Sequence, residues 1–489
     1  MSRKLVRDIS ASSTQVILNQ VLGLIIFFIV SRYLEKDRYG ELNWSLAVLT
    51  FITTILSLRL EQIVVKKIAA GGDSAKMLTL FTGHVIFTGL GFYLVLGTAS
   101  LLFPAFFQEH DLLLILAISH LLAFFSSPFK QLANGLESFR VLAGMSSVAN
   151  VLRAAWLAIA VWLDSFTIEV VLGIYIFSSL AELAACYLLA RYSLNIRFSK
   201  YRRGAYTSLI RESLPMAGAV ILHATIARID WILIGLFTTA QQTAEYSFAY
   251  RIYELSPVPL LIIAPVLLSR FSRFFSTRGR NELLNHGKEV SMLIRVSMII
   301  ATAIPLALNL VWAPVMDYLT NGKYGSVNSI TFLLLSLCTP FLYMNNMFWT
   351  VELAQNRLRR ILQVTLVTFT IILVGDLALI PRYAAIGAAA VYLCAIVVEY
   401  ANYLRASVLS SFRESYTAPL ICIAAAGSSG YIAVLVTNHI LLRIAIAFII
   451  FCLLLLATKQ LQKSDWKKLT GLRQRHGQSL HEQISDQPT

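Results

Sequence analysis

Three arginines, Arg153, Arg228 and Arg251, stand inside long apolar runs of this chain. A positive charge at the centre of a bilayer costs roughly 2.5 to 3.5 kcal/mol on insertion scales, so each needs a partner or an aqueous cavity. Guanidinium matches phosphate oxygens through paired, charge-assisted hydrogen bonds. Lining a water-filled cavity, the three would attract an anionic substrate, above all one with a pyrophosphate head. Nearby acids offer the competing use. Asp230 and Arg251 fall at similar depth on successive runs, as do Arg228 and Glu254, and Glu182 lies within a turn of Arg153 in depth. Each of these pairs could lock two helices together. Arg59, with Glu61 near the inner end of the second run, either continues the cationic cavity or marks an interfacial helix end.

Asp376 and Glu399 are candidate ion or proton sites, the default reading for acids inside a span. Asp230, Glu254 and Glu182 join them in that role or as counter-charges. Tyr246, Tyr250 and Tyr253 form one stripe that could stack on sugar rings or pack between helices. Asn309, Asn345 and Asn346 could hydrogen-bond sugar hydroxyls or bridge helices. His84, His120 and His223 occupy different runs and read as core histidines with satisfied nitrogens, a proton relay being the other use. The five cysteines all fall inside apolar runs, odd in number and without CxxC spacing, so neither disulfides nor zinc are expected. With no phosphate-cradling glycine loop or nucleophile motif, the reading is no cofactor, no enzymatic activity and no ATP-driven transport within the chain.

The elements that must position these residues are fourteen apolar runs, from Gln15–Val30 to Ile440–Ala457, most of them long enough to cross a bilayer at about 20 residues per helix. The chain is 57% hydrophobic and 14% charged, which excludes a soluble protein with one packed core. The predicted class is all-α, a polytopic membrane protein with 14 transmembrane helices. The apolar run after the first fourteen residues lacks a small-residue cleavage site and reads as a retained span.

With the N-terminus inside, thirty-two of the 41 Lys and Arg fall in inner segments, and six fall outside: Arg32, Lys36, Arg38, Lys323, Arg382 and Arg443. By the positive-inside rule both termini are cytoplasmic. The net charge of +15 sits in short inner loops and a basic tail, pointing to anionic membrane lipids as partners and not to nucleic acid. The basic stretch from Arg191 to Arg211 divides the chain into an N-terminal six-helix bundle (1–190), a cytoplasmic linker (191–213), a second six-helix bundle (214–409), a final helix pair (417–458) and a polar basic tail (459–489). Spans 1 and 7 both start inside, and Tyr39-Gly40-Glu41 before span 2 is echoed by Ala244-Glu245-Tyr246 before span 8, consistent with a parallel repeat. Six of the twelve prolines lie between Pro257 and Pro340. They point either to bent helices around a cavity or to the ordinary proline content of membrane helices.

Ser31-Arg32-Tyr33-Leu34 with Tyr39-Gly40-Glu41, and Asp230-Trp231-Ile232-Leu233-Ile234-Gly235 with Tyr246-Ser247-Phe248-Ala249-Tyr250-Arg251, resemble the polysaccharide exporter and O-antigen flippase family (Wzx type) of the multidrug/oligosaccharidyl-lipid/polysaccharide superfamily. The resemblance implies an inverted V of two bundles with a cationic cavity. Its activity would be translocation of an undecaprenyl-pyrophosphate-linked oligosaccharide, such as an O-antigen or other surface polysaccharide repeat unit, across the cell inner membrane. Polysaccharide pathway enzymes would be its partners. Spans 13 and 14 would lie outside the bundles, where similar lipid II flippases (MurJ type) offer a groove to the lipid tail, and a helix break at Gly427-Ser428-Ser429-Gly430 would fit that.

Two other classes compete. An ion-coupled multidrug or small-molecule antiporter (MATE type) would prefer a cavity dominated by acids. A membrane glycosyltransferase would need a substantial outer segment, and the longest outer loop is about a dozen residues. The charge asymmetry yields a topology prediction: single cysteines placed in 191–211 and in the tail react with an impermeant thiol reagent only from the cytoplasmic side. Tail labelling in intact cells would overturn the assignment.

Overall fold

The computed structural model describes residues 3–200, 203–260, 267–268, 271 and 287–462. Most of the basic tail and residues 272–286 lie outside the described residues. The helices are α1 (Arg3–Tyr33), α2 (Lys36–Ser57), α3 (Leu60–Ala69), α4 (Ser74–Leu102), α5 (Pro104–Glu109), α6 (Leu112–Gly135), α7 (Phe139–Trp162), α8 (Ile168–Ser193), α9 (Arg203–Phe237) and α10 (Ala240–Tyr253). After the gap come α11 (Gly287–Thr320), α12 (Ser329–Ala354), α13 (Leu358–Leu404), α14 (Glu414–Val436) and α15 (Ile440–Ala457). Among the described residues every longer element is helical, the solution a bilayer demands when each backbone N–H and C=O needs an internal partner.

Nine of these helices are long and apolar enough to span a membrane, ten when the bent pair α2 and α3 counts as one span. The chain is a multi-pass membrane protein. The first expected span corresponds to the apolar part of α1, the seventh to α9, and the eighth starts on α10 and runs partly outside the described residues. α13 holds the eleventh and twelfth, which meet at a non-helical Ala384 (φ 47°, ψ −128°). Span 2 is broken too, by 49° at Leu58 and Arg59, both in the left-handed region. Left-handed backbone at residues other than glycine is costly and persists only where the surroundings hold it.

One expectation fails here. α14 continues through Gly427-Ser428-Ser429-Gly430 without a break, and both serines bond back onto the helix: Ser428 Oγ donates to the Ala424 carbonyl (2.7 Å) and Ser429 Oγ to that of Ala426 (2.9 Å). Pro305, Pro314 and Pro340 likewise lie within continuous helices. α9 already begins at Arg203, so Arg203 and Arg211 ride on helix where a linker was expected.

The chain forms two compact units. Unit 1 comprises Met1–Phe248, Asp317–Val327 and Ile372–Ala388. Its core gathers Leu60, Phe81, Phe129, Met145 and Cys186 from α3, α4, α6, α7 and α8. Unit 2 comprises Ala249–Met316, Asn328–Ile371 and Ala389–Thr489, with a core around Met298, Met344, Phe348, Tyr403 and Phe451.

Within unit 1, α2 packs on α9 and approaches α10 unusually closely. A Cβ on Gly235 would stand 1.9 Å from Trp44 Cδ1, and one on Gly40 would stand 1.8 Å from the Ala240 carbonyl oxygen. The Trp44 indole N–H donates to the Ile232 carbonyl at 3.1 Å. Glycine at these two places lets backbones approach, as small residues do in membrane interfaces. Gly235→Ala should therefore lower stability by about 1 to 3 kcal/mol through overpacking. In a Trp44→Leu background the same alanine should cost much less. Thermal unfolding of the purified protein in detergent checks this, and equal loss in both backgrounds would show that the indole does not fill the notch.

Candidate functional site

Arg153 sits mid-way along α7, where snorkelling to an interface is hardest. Its Nε donates to Ser178 Oγ (3.0 Å) and its Nη2 to Ser179 Oγ (2.7 Å), both on α8. The guanidinium carbon lies 4.6 Å from the ring centroid of Tyr175. The expected partner, Glu182, is instead ion-paired with Lys130 of α6. Lys130 comes from a third helix and was overlooked because it lies near the end of its own apolar run. The correction is consequential: among the described residues no carboxylate bonds to Arg153.

Asp230 is buried on α9. Its carboxylate accepts from the Tyr246 hydroxyl (2.5 Å) and the Trp231 backbone N–H (2.8 Å). Arg251 pairs with Glu254 one turn along its own chain, at 2.8 Å. Of the two inter-helix pairs expected from depth, Asp230 with Arg251 is not the pairing observed. Depth alone carries no azimuth, and an i,i+3 neighbour or a tyrosine one helix away reaches first. Arg228 donates to the Ala227 carbonyl (3.3 Å) and lies 4.9 Å from the Trp231 ring centroid.

Asp376 is 1% exposed, and among the described residues neither of its carboxyl oxygens has a hydrogen-bond partner. Asp230, in the same unit, is the charged group that acts on it. Among the described residues, no group of three or more His, Cys, Asp and Glu could hold a metal ion.

Arg59 stands at the break between α2 and α3, its Nε buried without a hydrogen-bond partner. Its charge acts on Glu61 and His223. Of the histidines, His84 is satisfied on both nitrogens, by the Tyr206 hydroxyl (2.9 Å) and the Leu56 carbonyl (2.8 Å). His120 Nε2 meets Thr50 Oγ1 at 3.3 Å.

Unit 2 holds the remaining candidates. Tyr250 and Tyr253 are buried edge-on against Tyr392, centroids 6.0 and 6.2 Å apart. Tyr246, in unit 1, is equally buried. Asn345 donates to the Ile396 carbonyl (3.1 Å), joining α12 to the second half of α13, while the Asn346 side-chain oxygen is buried without a partner. Glu399 lies one turn beyond Ile396 on the same helix. A cavity of about 470 Å³ opens between α11, α12 and α14, lined by Leu306, Leu333, Pro340, Gly427 and Gly430, with Arg443 at its rim.

A cluster that the residue-by-residue reading missed gathers at the α1–α2 turn of unit 1. Lys36 is ion-paired with Glu245. Arg32 donates to the Leu319 carbonyl (3.1 Å), and Lys323 donates to the carbonyls of Arg32 and Leu34, both at 2.7 Å. Partial burial pulls the Lys323 ammonium below the usual lysine range. Arg38 binds both oxygens of Asp111, at 2.9 and 2.8 Å. Glu41 meets His110 at 3.1 Å, and that imidazole stacks on Trp44 with centroids 3.8 Å apart. The available signal was the short roster of basic residues expected outside the inner segments: Arg32, Lys36, Arg38 and Lys323 all belong to this cluster.

Residues 5–275 match the family described as polysaccharide biosynthesis protein. Over 254 residues the chain is 26% identical to the teichuronic acid biosynthesis protein TuaB of Bacillus subtilis (strain 168), covering 49% of this chain and 48% of TuaB. The match thus spans about half the length of that curated relative. In fold the chain is similar to a lipid II flippase MurJ in an inward closed conformation (TM-score 0.70, 13% identity, 91% of this chain and 97% of that one). It is also similar to an inward-facing multidrug resistance MATE family transporter of the MOP superfamily (TM-score 0.64, 14% identity, 83% and 100%).

The Lys130–Glu182 pairing has a measurable consequence. Glu182→Gln leaves Lys130 without its counter-charge and should cost on the order of 3 kcal/mol, the scale for breaking a buried pair. Adding Lys130→Gln should recover part of that loss. Additive losses in a double-mutant cycle of thermal stability would show that the two do not interact.

Proposed function

The chain belongs to the polysaccharide biosynthesis protein family, whose match covers more than half its length, and from that premise we propose that it is a flippase for a lipid-linked oligosaccharide. The observation that carries the reading is Arg153: a guanidinium deep in a membrane span, bonded to hydroxyls and to no carboxylate among the described residues. Such a residue is costly unless a ligand anion uses it. A cationic drug would be repelled by it, whereas a pyrophosphate is drawn in. The substrate class is therefore an undecaprenyl-pyrophosphate-linked repeat unit of an O-antigen or other surface polysaccharide. Arg153, Arg228 and Arg59 attract its head group. The apolar cavity between α11, α12 and α14 suits its hydrocarbon chain.

Transport proceeds by alternating access in the cell inner membrane, with both termini cytoplasmic. In that orientation the α1–α2 cluster faces the outer side. Release to the outer leaflet requires the contacts of Lys36 with Glu245 and of Arg32 and Lys323 with neighbouring carbonyls to part. Asp376 and Asp230 provide an ion or proton site for coupling. That bare carboxyl is also the one observation favouring the second reading, an ion-coupled small-molecule antiporter, in which the acids and not the arginines would decide transport.

Export of a lipid-linked glycan separates the two. Arg153→Ala and Arg228→Ala should each leave the protein in the membrane and lower surface glycan at least tenfold, while lysine should restore part of it by keeping charge without the planar fork. Normal export by a well-expressed Arg153→Ala, Arg228→Ala double variant would overturn the reading. Loss of cation efflux with intact glycan export would establish the antiporter instead.

A further inference from the structure

The hydroxyls around Arg153 form one connected set. Ser119 Oγ of α6 donates to the Tyr175 carbonyl (3.0 Å) and lies 2.9 Å from Ser179 Oγ. Ser178 Oγ donates to the Ile174 carbonyl at 2.5 Å. A hydroxyl has one proton and two lone pairs. Between Ser119 and Ser179 either hydroxyl can donate, and in both arrangements Ser179 keeps a lone pair for the Arg153 N–H. The single proton of Ser178 goes to a backbone carbonyl, that of Ile174 at 2.5 Å or of Tyr175 at 3.2 Å. Both serines therefore turn lone pairs toward Arg153, the polarity its N–H groups require. All three serines are buried.

This cradle does something a carboxylate could not. It fixes the plane of the guanidinium at two nitrogens and, with the Tyr175 ring against it, orients the group, yet it adds no formal negative charge. The nearest acid on the same helix face, Glu182, is neutralised by Lys130. Nη1 makes no hydrogen bond among the described residues. The full positive charge is kept for a ligand while the side chain is already held, which removes part of the ordering cost of binding.

We infer that Ser119, Ser178 and Ser179 with Tyr175 are positioning residues that make Arg153 a pre-oriented anion receptor of undiminished charge. The inference rests on the proposed role of Arg153 in binding the substrate's phosphate. It adds that neutrality of the cradle is what selects an anionic substrate.

The test uses two isosteric changes at one position, Ser179→Asn and Ser179→Asp, in the full chain reconstituted in lipid nanodiscs, with geranylgeranyl pyrophosphate as the probe. Asparagine keeps the cradle neutral and should bind the probe within about threefold of the unchanged protein. Aspartate supplies the missing counter-charge and should weaken binding at least tenfold at pH 7.5. As the pH falls and the new carboxyl is protonated, binding should return toward the asparagine value, a dependence that a packing defect would not produce. Thermal midpoints of both variants confirm folding. Equal binding by the two variants across the pH range, whether both strong or both weak, would overturn the inference. Arg153→Ala separates the levels. If it binds the probe as well as the unchanged protein, the phosphate-binding role itself fails; if it loses the probe while Asn and Asp stay equal, only the cradle's part in it fails.

Discussion

Inside a bilayer a charge has no water to fall back on, so what each ionised group is bonded to decides whether it is structure or chemistry. The described residues sort cleanly by this criterion. Lys130 with Glu182, and Arg251 with Glu254, are charges that cancel. Arg153 is a charge that is held but not cancelled. Asp376 is a carboxyl that is neither held nor cancelled. The first kind fastens helices or turns; the second and third are the groups to which the proposed function assigns anion binding and ion coupling.

The motifs that carry the family resemblance turn out to be where unit 1 packs most tightly. Gly40 and Gly235 admit a carbonyl and an indole at distances no Cβ would allow. Trp44 fills one notch, caps Ile232 and stacks on His110, and His110 pairs with Glu41. Phe27, Phe248 and Tyr324 stack beside them, with Phe248 and Tyr324 4.4 Å apart and nearly parallel. Short, tolerant motifs can thus mark a fold because they encode backbone approach, which few residues permit, and not because they encode chemistry. That is also why they say nothing about the substrate.

An amphiphile with a long chain and a phosphorylated head makes two unlike demands. Unit 1 contains Arg153, bonded to no carboxylate among the described residues, and unit 2 contains the apolar cavity beside α14, where the unbroken Gly427 and Gly430 turns keep the helix surface low. Each unit by itself meets one demand. Neither property would be asked of a carrier of small, water-soluble cations.

By itself the sequence determined the class, the approximate spans and the residues worth asking about, because hydrophobic length and the cost of intramembrane charge are one-dimensional properties. Arg153, Arg228, Asp230 and Asp376 all stood out as charged residues in apolar runs. Partner choice was decided only by the tertiary structure. Depth along a helix can be counted, but azimuth and the approach of a third helix cannot, so Glu182 was matched to Arg153 when Lys130 takes it, and Asp230 to Arg251 when Tyr246 takes it. The serines beneath Arg153 were invisible for the same reason: a hydroxyl in a membrane helix usually bonds back to its own backbone. Only the crossing of α6, α7 and α8 converts three such residues into a seat for a cation.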